Sequence, residues 1–158
     1  MANDKNVAII KCDVSDIVQV KEAAITAKRN FGPVTILINN AGIVSGKQIL
    51  ENSEFMMRKT FEVNTLAHLY TIREFLPDMI RQNKGHVVTI SSIAGTVAVP
   101  GMCDYSASKF GAFAIDECLR LEMKKSNYNI QTTCICPYYI NTGMFDGIES
   151  RWYMPILD

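Results

Sequence analysis

The sequence predicts an α/β fold built on a parallel sheet, and three observations predict it. Short β-branched runs alternate with longer amphipathic stretches along the whole chain. The run "VTILIN" is apolar on both faces, as expected of a strand covered by helices on each side. The stretches between runs are long enough for helices that return the chain to the start of the next parallel strand. No internal repeat, low-complexity tract or Pro/Gly/Ser linker divides the 158 residues, so one domain over 1–158 is expected.

Each element has a local reason. "NVAIIKC" reads as the first strand, with Asp13 just past its end. Ser15 is placed to cap a helix whose apolar positions Ile17, Val20, Ala24 and Ala27 follow helical spacing, and Gly32-Pro33 stops it. "VTILIN" is the second strand and runs into the turn "NAG". A helix from about Ser53 to Gln82 follows, with an early break expected, Pro77 expected to kink or interrupt it, and Gly85 to end it. "HVVTI" is the third strand, residues 93–104 a Gly/Pro-containing loop, and 103–126 a helix with an apolar first half. "IQTTCIC" is the fourth strand, and from Pro137 onward loop or short helix is expected.

Composition removes several function classes. Sixteen Lys and Arg balance sixteen Asp and Glu, so charge gives no reason to propose nucleic acid or an anionic membrane surface as partner. Five cysteines with no framework spacing read as reduced thiols. Cys134 and Cys136 share one face of a strand, but a single C-x-C is a weak metal signal and reads as buried small residues, so no metal is expected. No apolar run reaches the ~18 to 20 residues of a membrane span. "MANDKNVAII" has no signal-peptide core, and the chain as written is expected to be cytoplasmic.

In parallel sheets, ligands sit beyond the carboxyl ends of the strands. Asp13, Asn39 to Gly42, Ser91 to Ile93 and Pro137 to Thr142 all follow predicted strands and fall along that edge. Tyr105 and Lys109 are four apart on a helix and share a face. A free tyrosine has a pKa of about 10, and a neighbouring ammonium favours the phenolate, which makes a usable general base. Ser92, at the end of the adjacent strand, supplies both a donor and an acceptor without charge. Y-x-x-x-K by itself is a poor signal, and an exposed helix pair is the bland reading of it. The constellation carries the weight: "NNAG" after one strand, Asn64 in the next helix, "SS" ending the next strand, and Tyr105 beyond it.

With those residues the sequence resembles the short-chain dehydrogenase/reductase family, over nearly its whole length. The resemblance implies a Rossmann-like doubly wound parallel sheet in three α/β/α layers. It implies a catalytic set of Asn64, Ser92, Tyr105 and Lys109. Tyr105 would exchange the proton with the alcohol or carbonyl oxygen, Ser92 would position that oxygen, and Lys109 would lower the tyrosine pKa and hold the nicotinamide ribose. Asn64 would anchor a water that relays protons. The cofactor implied is NAD or NADP, held by Asp13 at the adenine, Asn40 at the adenosine ribose, Ala41 and Gly42 in the "NNAG" turn, Tyr105 and Lys109, and Ile140 and Thr142 at the carboxamide. "CPYYINTGMF", with Tyr138 where most relatives have glycine, looks like the epidermal retinol dehydrogenase 2 group. That group implies a retinoid or similar apolar alcohol or ketone as substrate. It also implies an N-terminal membrane-anchoring segment, which places full-length relatives at endoplasmic reticulum or lipid-droplet membranes. Phe145, Trp152, Tyr153 and Met154 are candidates to line an apolar pocket, with core or interface packing as the alternative.

Aligned to the family, the chain starts at the third strand. The turn T-G-x-x-x-G-x-G, whose backbone N–H groups bind the pyrophosphate, is not in the sequence, and "GIVSGKQ" has the wrong spacing for a P-loop. The first and second strands and the last strand of the family fold are expected to be missing, with "NVAIIKC" separated from "VTILIN" and apolar edges left open. A truncated isoform, fragment or degenerate gene product with impaired activity is the expectation. Two functions remain. One is an NAD(P)-dependent oxidoreductase of apolar alcohols. The other is an inactive protein that pairs with intact relatives, or with itself, through the helices carrying Asn64 and Tyr105. A serine hydrolase is disfavoured: no G-x-S-x-G elbow is present, His68 reads as a helix-surface residue and His86 as a strand-start residue.

Overall fold

A computed structural model of the chain describes residues 6–138 and residue 140. Helix α1 (Ile17–Phe31) precedes strand β1 (Ile36–Asn39). Helix α2 (Glu54–Phe61) passes through a π-turn (Glu62–Leu66) into α3 (Ala67–Gln82), and β2 (Gly85–Ile90) follows. A short 3-10 turn (Ile93–Gly95) leads to α4 (Cys103–Lys125) and then to β3 (Ile130–Ile135). The three strands are parallel in the order β1-β2-β3.

Local chemistry sets the boundaries. Asp16, not Ser15, caps α1, accepting from the N–H groups of Val18 and Gln19. Ser15 instead donates its hydroxyl to Asp13 at 2.7 Å. Gly32, at φ 79°, ends the helix in a backbone conformation that suits glycine. The early break in the long helix is the π-turn around Asn64, whereas α3 runs on through Pro77 without ending. Asn83, left-handed at φ 47°, closes α3, and Gly85 opens β2 instead. Gly85 is needed there for close packing: a Cβ would stand 2.6 Å from Met79, which is fully buried.

Residues 7–12 form no strand. Parallel strands need a partner with matching register, and the described chain offers "NVAIIKC" none, so Val7 and Ile9 stay 66% and 79% exposed.

The sheet has one dry face. Leu37 of β1, Val87 of β2 and Ile130 of β3 pack with Ile72 and Met79 of α3 and Leu119 and Met123 of α4 as the main core. Helix α1 packs on α3, where Lys28 pairs with Asp78 at 2.8 Å. The other face carries Ile36, Ile38 and Ile135, which are 59%, 60% and 45% exposed. Successive right-handed crossovers that move along a sheet in one direction place their helices on the same side. The order β1-β2-β3 therefore puts α3 and α4 on one face, and no described helix covers the second. The incomplete Rossmann-like α/β sheet is present. Coverage of both faces, expected from the apolar strands, is not seen among the described residues.

Candidate active site at the strand ends

The carboxyl ends of the strands open onto a cavity of about 600 Å³. Its lining combines Asn40, Gly42, Ser92, Tyr105, Lys109 and Ile140 with Tyr138 and other mainly apolar neighbours. Six of the residues singled out in the sequence therefore meet at one place.

Helix α4 presents Tyr105 and Lys109 one turn apart, both 3% exposed. The Lys109 ammonium lies 5.8 Å from the centre of the Tyr105 ring. It donates to the Ile90 carbonyl at 2.8 Å, at the end of β2. Burial pushes this ammonium down to about 8. Two N–H donors remain beyond the Ile90 bond. Ser92 caps the 3-10 turn by accepting from Ala94 N–H at 3.1 Å, and it lines the cavity. Ser91, beside it, donates to the Lys109 carbonyl at 2.9 Å and so ties the end of β2 to α4.

Asn64 stands behind the cavity rather than in it. Its Oδ1 accepts from Ile43 N–H at 2.8 Å, and its Nδ2 donates to the Ile43 carbonyl and to Ser108 Oγ, both at 2.9 Å. Both amide donors are thus spent on pinning the loop after β1 to α4. The π-turn aims this side chain inward at a buried position. Ser108 passes the link on, donating to the Tyr105 carbonyl at 2.7 Å. Gly42 lies against both groups: a Cβ there would meet Lys109 Nζ at 3.4 Å and Asn64 Oδ1 at 3.5 Å.

The remaining expected residues divide. Ala41 sits in the turn between Asn40 and Gly42 and does not line the cavity. Asp13 is outside it too, held by Ser15 and by Lys59 of α2 at 3.1 Å. Those hydrogen bonds, Ser15 first, take its carboxyl down to about 2. Thr142, Phe145, Trp152, Tyr153 and Met154 lie outside the described residues.

His68 is a correction: it is 2% exposed, not on the helix surface. Burial first, and the Lys109 charge second, push its imidazole down to about 4. Its position four residues after Asn64 was the available signal, since that spacing shares a helix face. Sequence reading also missed Asp104. This buried carboxylate accepts from Ser45 (2.8 Å), Asn52 (2.9 Å) and Thr60 (3.1 Å), and joins the loop after β1 to α2 and α4.

The five cysteines are free thiols, with the sulfurs of Cys134 and Cys136 3.9 Å apart. No described helix is long and apolar enough to cross a membrane.

Comparison with known proteins gives the chain its relatives. The family profile for short chain dehydrogenase matches residues 1–151. Epidermal retinol dehydrogenase 2 of Mus musculus is 45% identical over 150 residues, which cover 93% of this chain and 48% of that protein. The chain thus spans about half the length of the curated relatives it matches. Among solved structures, a short chain dehydrogenase of Burkholderia cenocepacia in complex with NADP superposes with a TM-score of 0.80 at 30% identity, over 94% of this chain and 58% of that one. A short chain dehydrogenase/reductase of Burkholderia phymatum in complex with NAD gives 0.79 at 27% identity, over 90% and 55%. The chain belongs to the short-chain dehydrogenase/reductase family.

Proposed function

We propose that the cavity is the acid–base part of a nicotinamide-dependent alcohol dehydrogenase site, acting on retinol or a similar apolar alcohol. The observation that carries this reading is the meeting of Ser92, Tyr105 and Lys109 in one mainly apolar cavity at the strand ends. Tyr105 accepts the hydroxyl proton of the substrate as general base, a role typically worth about 10² to 10⁴ in rate. Ser92 hydrogen-bonds the same oxygen. The Lys109 ammonium, 5.8 Å from the ring centre, favours the phenolate electrostatically.

The residues present fit the nicotinamide end of NAD or NADP. The bare Gly42 leaves backbone open to close approach beside Lys109, and the ammonium keeps two donors for ribose hydroxyls. Asn40 and Ile140 flank it. When bound, such a cofactor supplies the hydride acceptor. No glycine-rich turn opening a helix occurs among the described residues, so the pyrophosphate has no evident cradle there.

Retinoid specificity is supported by the printed name of the mouse relative and by the apolar lining. The test is retinal formation from retinol with NAD⁺ or NADP⁺ at millimolar concentration, alongside a cofactor titration. Tyr105→Phe is expected to remove turnover and leave cofactor binding nearly intact. Retained turnover would eliminate Tyr105 as the base.

A second reading, a partner for related chains, is favoured by one feature. A groove of about 630 Å³ between α3 and α4 is lined by Leu69, Leu76, Pro77, Ile80 and Ile115. Helix pairing there predicts a dimer in sedimentation that Leu69→Glu dissociates; a monomeric chain would exclude it.

A further inference from the structure

Strand β3 and the residue after it carry two thiols that the proposed reaction does not use. Cys134 and Cys136 are both half-buried, and their sulfurs lie 3.9 Å apart. Strand alternation gives them the face of Ile130, which packs against Leu119 and Met123 of α4. Cys12, Cys103 and Cys118 lie elsewhere, ahead of α1 and on α4.

Cys136 stands between two carbonyls that hold the end of β2. The Ile135 carbonyl accepts from Ser91 N–H at 2.8 Å, and the Pro137 carbonyl accepts from Ile93 N–H at 2.9 Å. Ser92, between those two donors, lines the cavity, and so does Pro137. A change in the backbone at residue 136 therefore reaches Ser92 through two hydrogen bonds.

A disulfide needs its sulfurs about 2.05 Å apart and its α-carbons about 4.4–6.8 Å apart. Alternate residues of a strand stand about 6.6 Å apart, twice the rise per residue, which falls near the top of that range. The two thiols are thus within bonding reach, and closing the bond draws the chain in around Ile135. A bridge made at the limit of the allowed geometry is also readily reduced.

We propose that Cys134 and Cys136 form a peroxide-sensitive dithiol, and that its closure to a disulfide displaces Ser92. Cys136 is the attacking sulfur, because it adjoins the cavity residue Pro137. Burial first, and the Cys136 sulfur second, push the Cys134 thiol up to about 12, so Cys134 keeps its proton. The Lys109 ammonium is within electrostatic reach of both sulfurs and meets the negative charge on the attacking one. The Cys136 thiolate bonds to one peroxide oxygen, the O–O bond breaks, and the departing hydroxide takes up a proton to become water. Cys134 then attacks the resulting sulfenic sulfur, the S–S bond forms, and the S–O bond breaks. The second hydroxide leaves as water with the Cys134 proton. Two thiols are oxidised and one peroxide is reduced to two waters.

The test treats the reduced, ¹⁵N-labelled full chain with hydrogen peroxide. Trypsin then releases residues 126–151, which contain Cys134 and Cys136 and no other cysteine. That peptide is expected to lose two hydrogens and to regain them with dithiothreitol. The Ser91 and Ile93 amide resonances should move, and their exchange should quicken by roughly two- to tenfold, as for the loss of one net hydrogen bond. Cys136→Ser should show neither change. Both thiols still open to alkylation after peroxide, or bridges to Cys103 or Cys118 in their place, would overturn the proposal. So would a bridge that leaves the Ser91 and Ile93 amides unmoved. If Cys136→Ser fails to fold, the mass and amide measurements on the wild type decide. None of these readouts needs turnover or a cofactor, so the result is separate from the fate of the proposed reaction.

Discussion

At the scale of single residues, burial governs the chemistry of Lys109 and His68. Lys109 loses its proton near pH 8 rather than 10.5. If its ammonium holds the cofactor ribose, affinity for NAD(H) or NADP(H) should fall as pH rises through about 8. Lys109→Met should bind weakly at every pH, and fluorescence titration from pH 6 to 10 reads both. His68 gives a stability prediction with a definite sign. Its folded value of about 4 lies below the free value of 6.5, so in that window the unfolded chain binds more protons. Stability contributed by neutral His68 is full above pH 6.5 and is lost as pH falls toward 4, a loss on the order of 3 kcal/mol. Urea melts of wild type and His68→Gln at pH 7 and pH 4.5 should converge as the pH drops. A constant gap between them would refute the assignment.

At the scale of elements, the site depends on how closely α4 lies against the 3-10 turn after β2. Gly95 marks that contact: a Cβ would stand 2.6 Å from Ser91 Oγ and 2.7 Å from the Lys109 carbonyl. A side chain can turn aside, but a helix carbonyl cannot. Gly95→Ala should therefore separate the turn from α4 and displace Ser92 from Tyr105. It should cost about 1–3 kcal/mol in denaturant melts. An alanine variant of native stability would show that the contact is slack. The π-turn has a similar role. It turns Asn64 inward and lets three hydrogen bonds from one amide join the β1 loop to α4. Asn64→Ala should loosen the Tyr105–Lys109 face as well as destabilise the chain, visible as faster amide exchange in residues 40–44.

At the scale of the whole molecule, the sheet has one covered face and one open face. Ile36, Ile38 and Ile135 present an apolar surface of the kind that drives association. Ile38→Lys should reduce light scattering at elevated concentration and barely change the melting temperature; unchanged scattering would place the sticky surface elsewhere. Helix α4 and the three strands were legible from short-range periodicity, and the shared face of Tyr105 and Lys109 from i,i+4 spacing; Ser92 joined them in the sequence only through its place at a strand end and the family resemblance. The first run failed as a strand because strand formation is a property of a pair, and pairing is invisible in a single run. Which face of "VTILIN" is covered was equally hidden, since that depends on the direction of crossovers. His68 was misjudged because a polar residue on an amphipathic helix reads as solvated until the helix is docked. The most direct measurement of the central claim is retinal formation from retinol under saturating NAD⁺ or NADP⁺, in wild type and Tyr105→Phe, with cofactor binding titrated in both. The account predicts product from the wild type, a loss of at least about 100-fold in the variant, and matching cofactor titrations. Equal rates in the two chains, or no product from the wild type at saturating cofactor, would contradict it.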